Sequence, residues 1–206
     1  FNRNKKSIAL DLQTPEGKEA VLRLIATADI VSENFKPGTM AKLGLDYASL
    51  KALNPRLIYI SLKGFLPGPY DHRTALDEVV QMMSGLAYMT GPVGRPLRAG
   101  APVNDMMGGV FGAMAVMAAL MQREKTGKGQ YVQSGLFETA SWLVSTHIMQ
   151  YAVQGKPLMP MSAGSRAWGV YDVFETADNV KLFIGDMWYV MIRPLATPFR
   201  FDRSAP

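Results

Sequence analysis

The sequence predicts an α/β fold built on a parallel sheet, with the start of a small α+β domain behind it. Three observations carry this: short β-rich runs alternate with amphipathic helical segments, Gly/Pro-rich stretches separate them, and the pattern changes to paired β-runs after Gly155. With 206 residues, 48% of them hydrophobic and 19% charged, the chain is long enough for one sizeable core.

Taken in order, Ser7 to Leu12 (SIALDL) reads as a short strand. Thr14-Pro15-Glu16 then supplies a cap, a first-turn proline and a first-turn acid for a helix whose buried face is Val21, Leu22, Leu24 and Ile25. Asp29 to Ser32 is the second strand, Tyr47 to Asn54 a short helix, and Leu57 to Leu62 a third strand bounded by Asn54-Pro55 and Gly64. Parallel sheets bind ligands at the carboxyl ends of their strands, which makes Glu33-Asn34-Phe35 and Lys63-Gly64-Phe65 candidate ligand loops.

Helical patterns follow over Thr74 to Met89, Asn104 to Glu124 and Gly135 to Gln154, with the Gly/Pro-rich stretch Gly91 to Pro102 between the first two. Met82, Met83, Met114, Met117 and Met121 recur at helical spacing and are assigned to the core, as are Trp142 and Trp168. Met106 to Met121 falls short of the roughly 20 apolar residues that span a bilayer, so it reads as a buried helix and no membrane partner is expected. Between Ala167 and Gly185, two β-rich runs flank Asp178-Asn179, a hairpin signal. These changes divide the chain into a large domain over residues 1–155 and a linker with the start of a small domain over 156–206.

Lys and Arg are spread along the chain and form no recognition module, so a net charge of +5 and a pI near 9.4 do not indicate nucleic acid. A phosphate-bearing ligand fits the charge equally well. The absence of cysteine excludes disulfides, thiolate metal sites and a cysteine nucleophile, and suits a reducing cytoplasm. His72 and His147 have no partner at a metal-ligand spacing, so no metal is expected. The chain opens at Phe1 without a secretory signal or an initiator Met and ends in a polar run, which suggests a piece of a longer protein. No GxSxG, P-loop, GxGxxG or HExxH pattern supports the common hydrolase, kinase, dehydrogenase or metalloprotease chemistries.

What remains is Asp105, which follows Ala101-Pro102-Val103-Asn104 and precedes the glycine-rich helix start Met106 to Gly112. By position it reads as a helix N-cap, with Gly108, Gly109 and Gly112 leaving room for another backbone or a ligand. Exposed amides and the helix dipole are expected to keep its carboxylate ionised, a state in which carboxylates serve as covalent nucleophiles.

Six blocks in order resemble the signature blocks of class III CoA-transferases, the CaiB/BaiF or formyl-CoA transferase-like family. They are NRNKKSIALDL from Asn2, VSENFKPGTMAKLGL from Val31, LIYISLKGFLPGPY from Leu57, DEVVQMMSGLAYMTG from Asp77, GAPVNDMMGGVFGAMAVMAALMQREKTGKGQYVQSGL from Gly100 and YDVFETAD from Tyr171.

The resemblance implies a Rossmann-like large domain and a CoA-transferase that carries CoA on Asp105 between small carboxylic acids. Coenzyme A would enter as acyl-CoA substrate, without ATP or metal. It also implies that Asn34 and Phe35 line the CoA site, that Lys42 meets a CoA phosphate and that Leu43 packs near the adenine, with Lys63 a further cation nearby. Oxyanion donors would come from the amides that start the Met106 helix or from the loop Ser162-Ala163-Gly164-Ser165, where similar proteins place a glycine-rich lid.

Two alternatives stand beside this reading. An α-methylacyl-CoA racemase-like enzyme would need a histidine immediately before Asp77, where this chain has Leu76, with His72 four residues earlier. The other alternative is a catalytically idle CoA-binding or interaction fragment, since similar proteins are about twice as long. The resemblance further implies a homodimer of interlocked chains, and surfaces left open by missing pieces predict self-association.

Overall fold

The computed structural model describes residues 2–163 and 170–186. It is an α/β fold around a parallel sheet of three strands in the order β1-β2-β3: β1 Ile30–Glu33, β2 Ile58–Lys63 and β3 Tyr131–Gly135. Helix α1 (Pro15–Thr27) precedes the sheet, and α2 (Thr39–Leu43) and α3 (Tyr47–Leu50) connect β1 to β2. Helices α4 (Asp77–Ser84), α5 (Leu86–Thr90) and α6 (Val103–Thr126) connect β2 to β3, and α7 (Leu136–Leu143) and α8 (Ser145–Gln154) follow.

Helix α1 starts as its sequence dictates: the Thr14 Oγ1 accepts the Gly17 amide at 3.1 Å, with Pro15 and Glu16 in the first turn. Its inner face closes a cluster of Ile25, Leu45, Leu50, Leu57 and Tyr59 on one side of the sheet, flanked by Val21 and Leu22, whereas Leu24 points to solvent. The predicted helix from Tyr47 stops at Leu50, and Asn54 instead donates to the Ile25 and Ala28 carbonyls at 3.0 and 2.8 Å, sealing the end of α1.

Several expectations are corrected. Ser7 to Leu12 is not a strand, because among the described residues no neighbouring strand pairs with it; Leu12 packs against the α1 cluster and the Asp11 carbonyl accepts from the Thr14 amide. The predicted helix Thr74 to Met89 divides at Gly85, whose left-handed φ of 87° ends α4. The predicted helix from Gly135 begins only after β3, a strand absent from the sequence reading, and divides at Val144. The expected hairpin forms as the antiparallel pair β4 (Val170–Glu175) and β5 (Lys181–Asp186), with Asn179 at φ 62° in its turn. Trp168 lies outside the described residues.

The largest correction concerns α6. Its buried residues are Asn104, Gly108, Gly112, Ala119 and Arg123, a face of mostly small side chains that lies on β2 and β3. A Cβ on Gly112 would stand 2.9 Å from Ile60 Cδ1 and 3.0 Å from Leu62 Cδ2, so the helix rides directly on the sheet. The larger apolar residues Met106, Val110, Met114, Met117 and Met121 face outward and are exposed, as are Met82, Met83 and Trp142, so none of these fills the core expected of it. At 24 residues α6 is also long and apolar enough to cross a membrane, contrary to the expectation for Met106 to Met121. Its contacts instead make it a layer of the α/β fold, anchored at its far end by Arg123, which pairs with Asp29 at 2.8 Å.

This close approach is testable. Leu is the better helix former by about 0.8–1 kcal/mol, yet Gly112→Leu is expected to destabilise the chain by about 1–3 kcal/mol through overpacking against the sheet. The shift in the urea midpoint measures it.

Candidate active site

The carboxyl ends of the three strands open into one cavity of about 480 Å³. Asn34 and Phe35 reach it from the end of β1, Lys63 and Gly64 from β2, Ser134 and Leu136 from β3, and Asp105, Gly108 and Gly109 from the start of α6. Of the sequence-predicted site residues, Asp105, Asn34 and Phe35 therefore share one space. Lys42 is exposed on the last turn of α2 and Leu43 packs against the α1 cluster; neither lines the cavity.

Asp105 is not the N-cap of α6. That position belongs to Pro102, whose side chain has no hydrogen-bond acceptor, and Asp105 sits in the first turn behind it. The cap is supplied by another helix: the Asp77 Oδ1 accepts the amides of Asn104 at 2.7 Å and Asp105 at 3.1 Å. Asp77 is buried, and its Oδ2 also accepts from Gln81 Nε2. Gln81 in turn accepts the Ala99 amide at 2.7 Å, which ties the loop before α6 to α4.

Two expectations change with this cap. The amides that begin α6 are already engaged: those of Asn104 and Asp105 by Asp77, those of Val103 and Met106 by the carbonyls of Ala101 and Pro102 at 2.8 and 3.0 Å. They are not free to hold an oxyanion. The other expected source, Ser162 to Ser165, lies partly outside the described residues; the Ser162 hydroxyl donates to the Gly91 carbonyl at 2.9 Å. The Asp105 carboxyl, moreover, is raised above its ordinary value rather than lowered, first by desolvation and then by the negative charges of Asp77 and Glu78.

A second buried carboxylate organises the β1 and β2 ends. Glu33 accepts from the Ser61 hydroxyl, from Lys63 Nζ at 2.8 Å and from the Phe35 amide at 2.9 Å. Lys63 also donates to the Phe35 carbonyl at 2.6 Å. The two predicted ligand loops are thus one hydrogen-bonded unit, with the Lys63 ammonium already paired. Sequence reasoning placed both loops and missed the pair; an acid closing one strand and a lysine closing the next were its signal.

The fold agrees with that of known proteins. The CoA-transferase family III model matches residues 1–197. This chain belongs to CoA-transferase family III. The family III chain is 42% identical over 180 residues to the succinate–glutarate CoA-transferase of Agrobacterium fabrum, a match covering 86% of this chain and 45% of that protein. It is 35% identical to the mouse succinyl-CoA:glutarate CoA-transferase over 86% of this chain and 41% of the relative. The crystal structure of a CaiB/BaiF family protein from Brucella suis superposes with a TM-score of 0.77 at 40% identity, covering 85% of this chain and 47% of that one. The chain spans about half the length of the curated relatives it matches.

Two outcomes test the electrostatics. A carboxyl whose folded-state value is raised costs folding free energy once it ionises, and costs nothing where it is protonated in both states. Asp105→Asn is therefore expected to be more stable than wild type at pH 7, with the gain disappearing as pH falls below the ordinary carboxylate range, as read by urea denaturation across pH. Asp77→Ala leaves the buried Asn104 amide and the part-buried Asp105 amide without their acceptor and is expected to cost about 1–3 kcal/mol in the same measurement.

Proposed function

We propose that this chain carries the acyl-CoA site and the nucleophile of a CoA-transferase acting on small carboxylic acids. The observation that carries the proposal is Asp105, an ionisable carboxyl at the mouth of a strand-end cavity that Asn34 and Phe35 also line, in a chain of CoA-transferase family III. The names of its relatives, transferases for succinate and glutarate among them, support small carboxylates as substrates.

In the proposed reaction an Asp105 oxygen attacks the thioester carbonyl, the C–S bond breaks, and an acyl anhydride and CoA thiolate result. The thiolate then attacks the Asp105 carbonyl of the anhydride, giving the aspartyl-CoA thioester and releasing the donor acid. The acceptor carboxylate repeats the two steps in reverse and leaves as its CoA thioester, with Asp105 regenerated. Asn34 and Phe35 border the CoA chain, Lys42 meets a phosphate and Leu43 lies toward the adenine, on the support of their place in the matching sequence block.

The same proposal divides the chain after Gly155, which ends α8 in a left-handed conformation, and places the enzyme in the cytoplasm on its lack of cysteine. It assembles as a homodimer, supported by the exposed apolar face of α6. The racemase reading gains no observation, since Leu76 lines the cavity and His72 does not.

The test is intact-protein mass spectrometry after mixing with a panel of acyl-CoAs. A CoA-sized, hydroxylamine-labile adduct is expected on the full-length wild type and not on Asp105→Asn. No adduct with any donor sinks the reading, and an adduct on the full-length protein but not on the 206-residue chain makes this chain an incomplete site.

A further inference from the structure

The Asp105 cavity has an uneven charge inventory. Among its lining residues Asp77, Glu78 and Asp105 are acidic, and Lys63 and Arg73 are basic. Lys63 is consumed by Glu33, and Glu78 is paired with Arg98 at 2.7 Å. Arg73 forms no ion pair among the described residues.

Arg73 is also held in place. Its guanidinium carbon lies 5.0 Å from the centre of the Tyr70 ring, Tyr70 packs on Phe65 at 5.6 Å, and Phe65 packs on Phe137 at 5.8 Å. Phe65 is buried, so the chain of rings roots the cation in the core. The loop that carries it is closed at its base, where a Cβ on Gly64 would stand 2.8 Å from the Ala75 nitrogen. It is also tied to α7: the Phe137 amide donates to the Gly64 carbonyl at 2.9 Å, and the Leu66 amide donates to Glu138 at 3.1 Å.

We propose that Arg73 is a specificity-determining residue that receives the second carboxylate of a dicarboxylic acid whose first carboxyl reacts at Asp105. A planar guanidinium matches a carboxylate in a two-point contact, and one already fixed on an aromatic ring loses little freedom in making it. The acidic wall formed by Asp77 and Asp105 repels a substrate with a second negative charge, and Arg73 supplies the counter-charge; a monocarboxylic acid makes no use of it. The inference rests on the reading of Asp105 as the group that takes the acyl carbon.

The experiment compares wild type, Arg73→Gln and Arg73→Lys in the full-length protein, with acetyl-CoA as donor and succinate, glutarate, butyrate or monomethyl succinate as acceptor. Losing a charged hydrogen-bond partner is expected to lower kcat/KM for succinate and glutarate about 10- to 100-fold. Butyrate and monomethyl succinate are expected to stay within about 3-fold of wild type, and Arg73→Lys to recover part of the loss. An equal loss with all four acceptors, or no loss, overturns the proposal. If the wild type transfers CoA to none of them, the adduct test above decides the Asp105 reading, and calorimetric titration of succinate decides the role of Arg73 alone. Tighter binding to wild type than to Arg73→Gln supports it, and equal binding overturns it.

Discussion

The Asp77 carboxylate is the contact on which the site depends. A long helix leaves its first amides without internal partners, and α6 begins with Pro102 in the cap position, where there is no side chain to accept them. Asp77 reaches across from α4 and accepts two of those amides, while Gln81 binds both Asp77 and the Ala99 amide. One buried anion thereby fixes where α6 starts, how α4 meets it and where the intervening loop returns. The direction in which Asp105 faces follows from that start, because a first-turn residue is oriented by the register of its helix.

The second constraint is the thinness of α6 on its inner side. Small residues bring the helix onto β2 and β3, and this closeness carries its first turn to the strand ends where Asn34, Phe35 and Lys63 lie. A helix with large residues on that face would stand farther off and withdraw Asp105 from the cavity. The methionines Met106, Met114, Met117 and Met121 then occupy the outer face, where they are exposed.

These two features also explain how much was legible in the sequence. The parallel α/β class, the Thr14 start of α1, the β1 and β2 runs with their ligand loops, and the Asp178-Asn179 hairpin depend on local chemistry, and each was readable. Strand β3 was not, because Tyr131 to Gly135 contains Gln, Ser and Gly and becomes a strand only by pairing with β2. The cap on α6 was not, because it joins residues 27 positions apart. Helical periodicity located an apolar face on α6 but assigned it to the core; periodicity identifies a face and does not say which side of the helix the sheet takes. The same limit applies to Asp105, whose sequence position suggested an ionised cap and whose surroundings make ionisation harder.

That last difference bears on chemistry. An ionised Asp105 is destabilised by loss of water and by the nearby charges of Asp77 and Glu78. In the proposed reaction the negative charge passes from the Asp105 oxygen to the CoA sulfur when the oxygen is acylated, so the repulsion at Asp105 is present before attack and relieved after it. A carboxylate with a raised pKa is also the more basic nucleophile, and the rise remains useful as long as the group is ionised at working pH. The Asp77 cap thus acts twice. Its hydrogen bonds hold the helix that carries Asp105, and its charge adds to the desolvation that makes the ionised carboxyl harder to form, so in the proposed reaction the interaction that secures the fold would also disfavour the resting nucleophile relative to its acylated form.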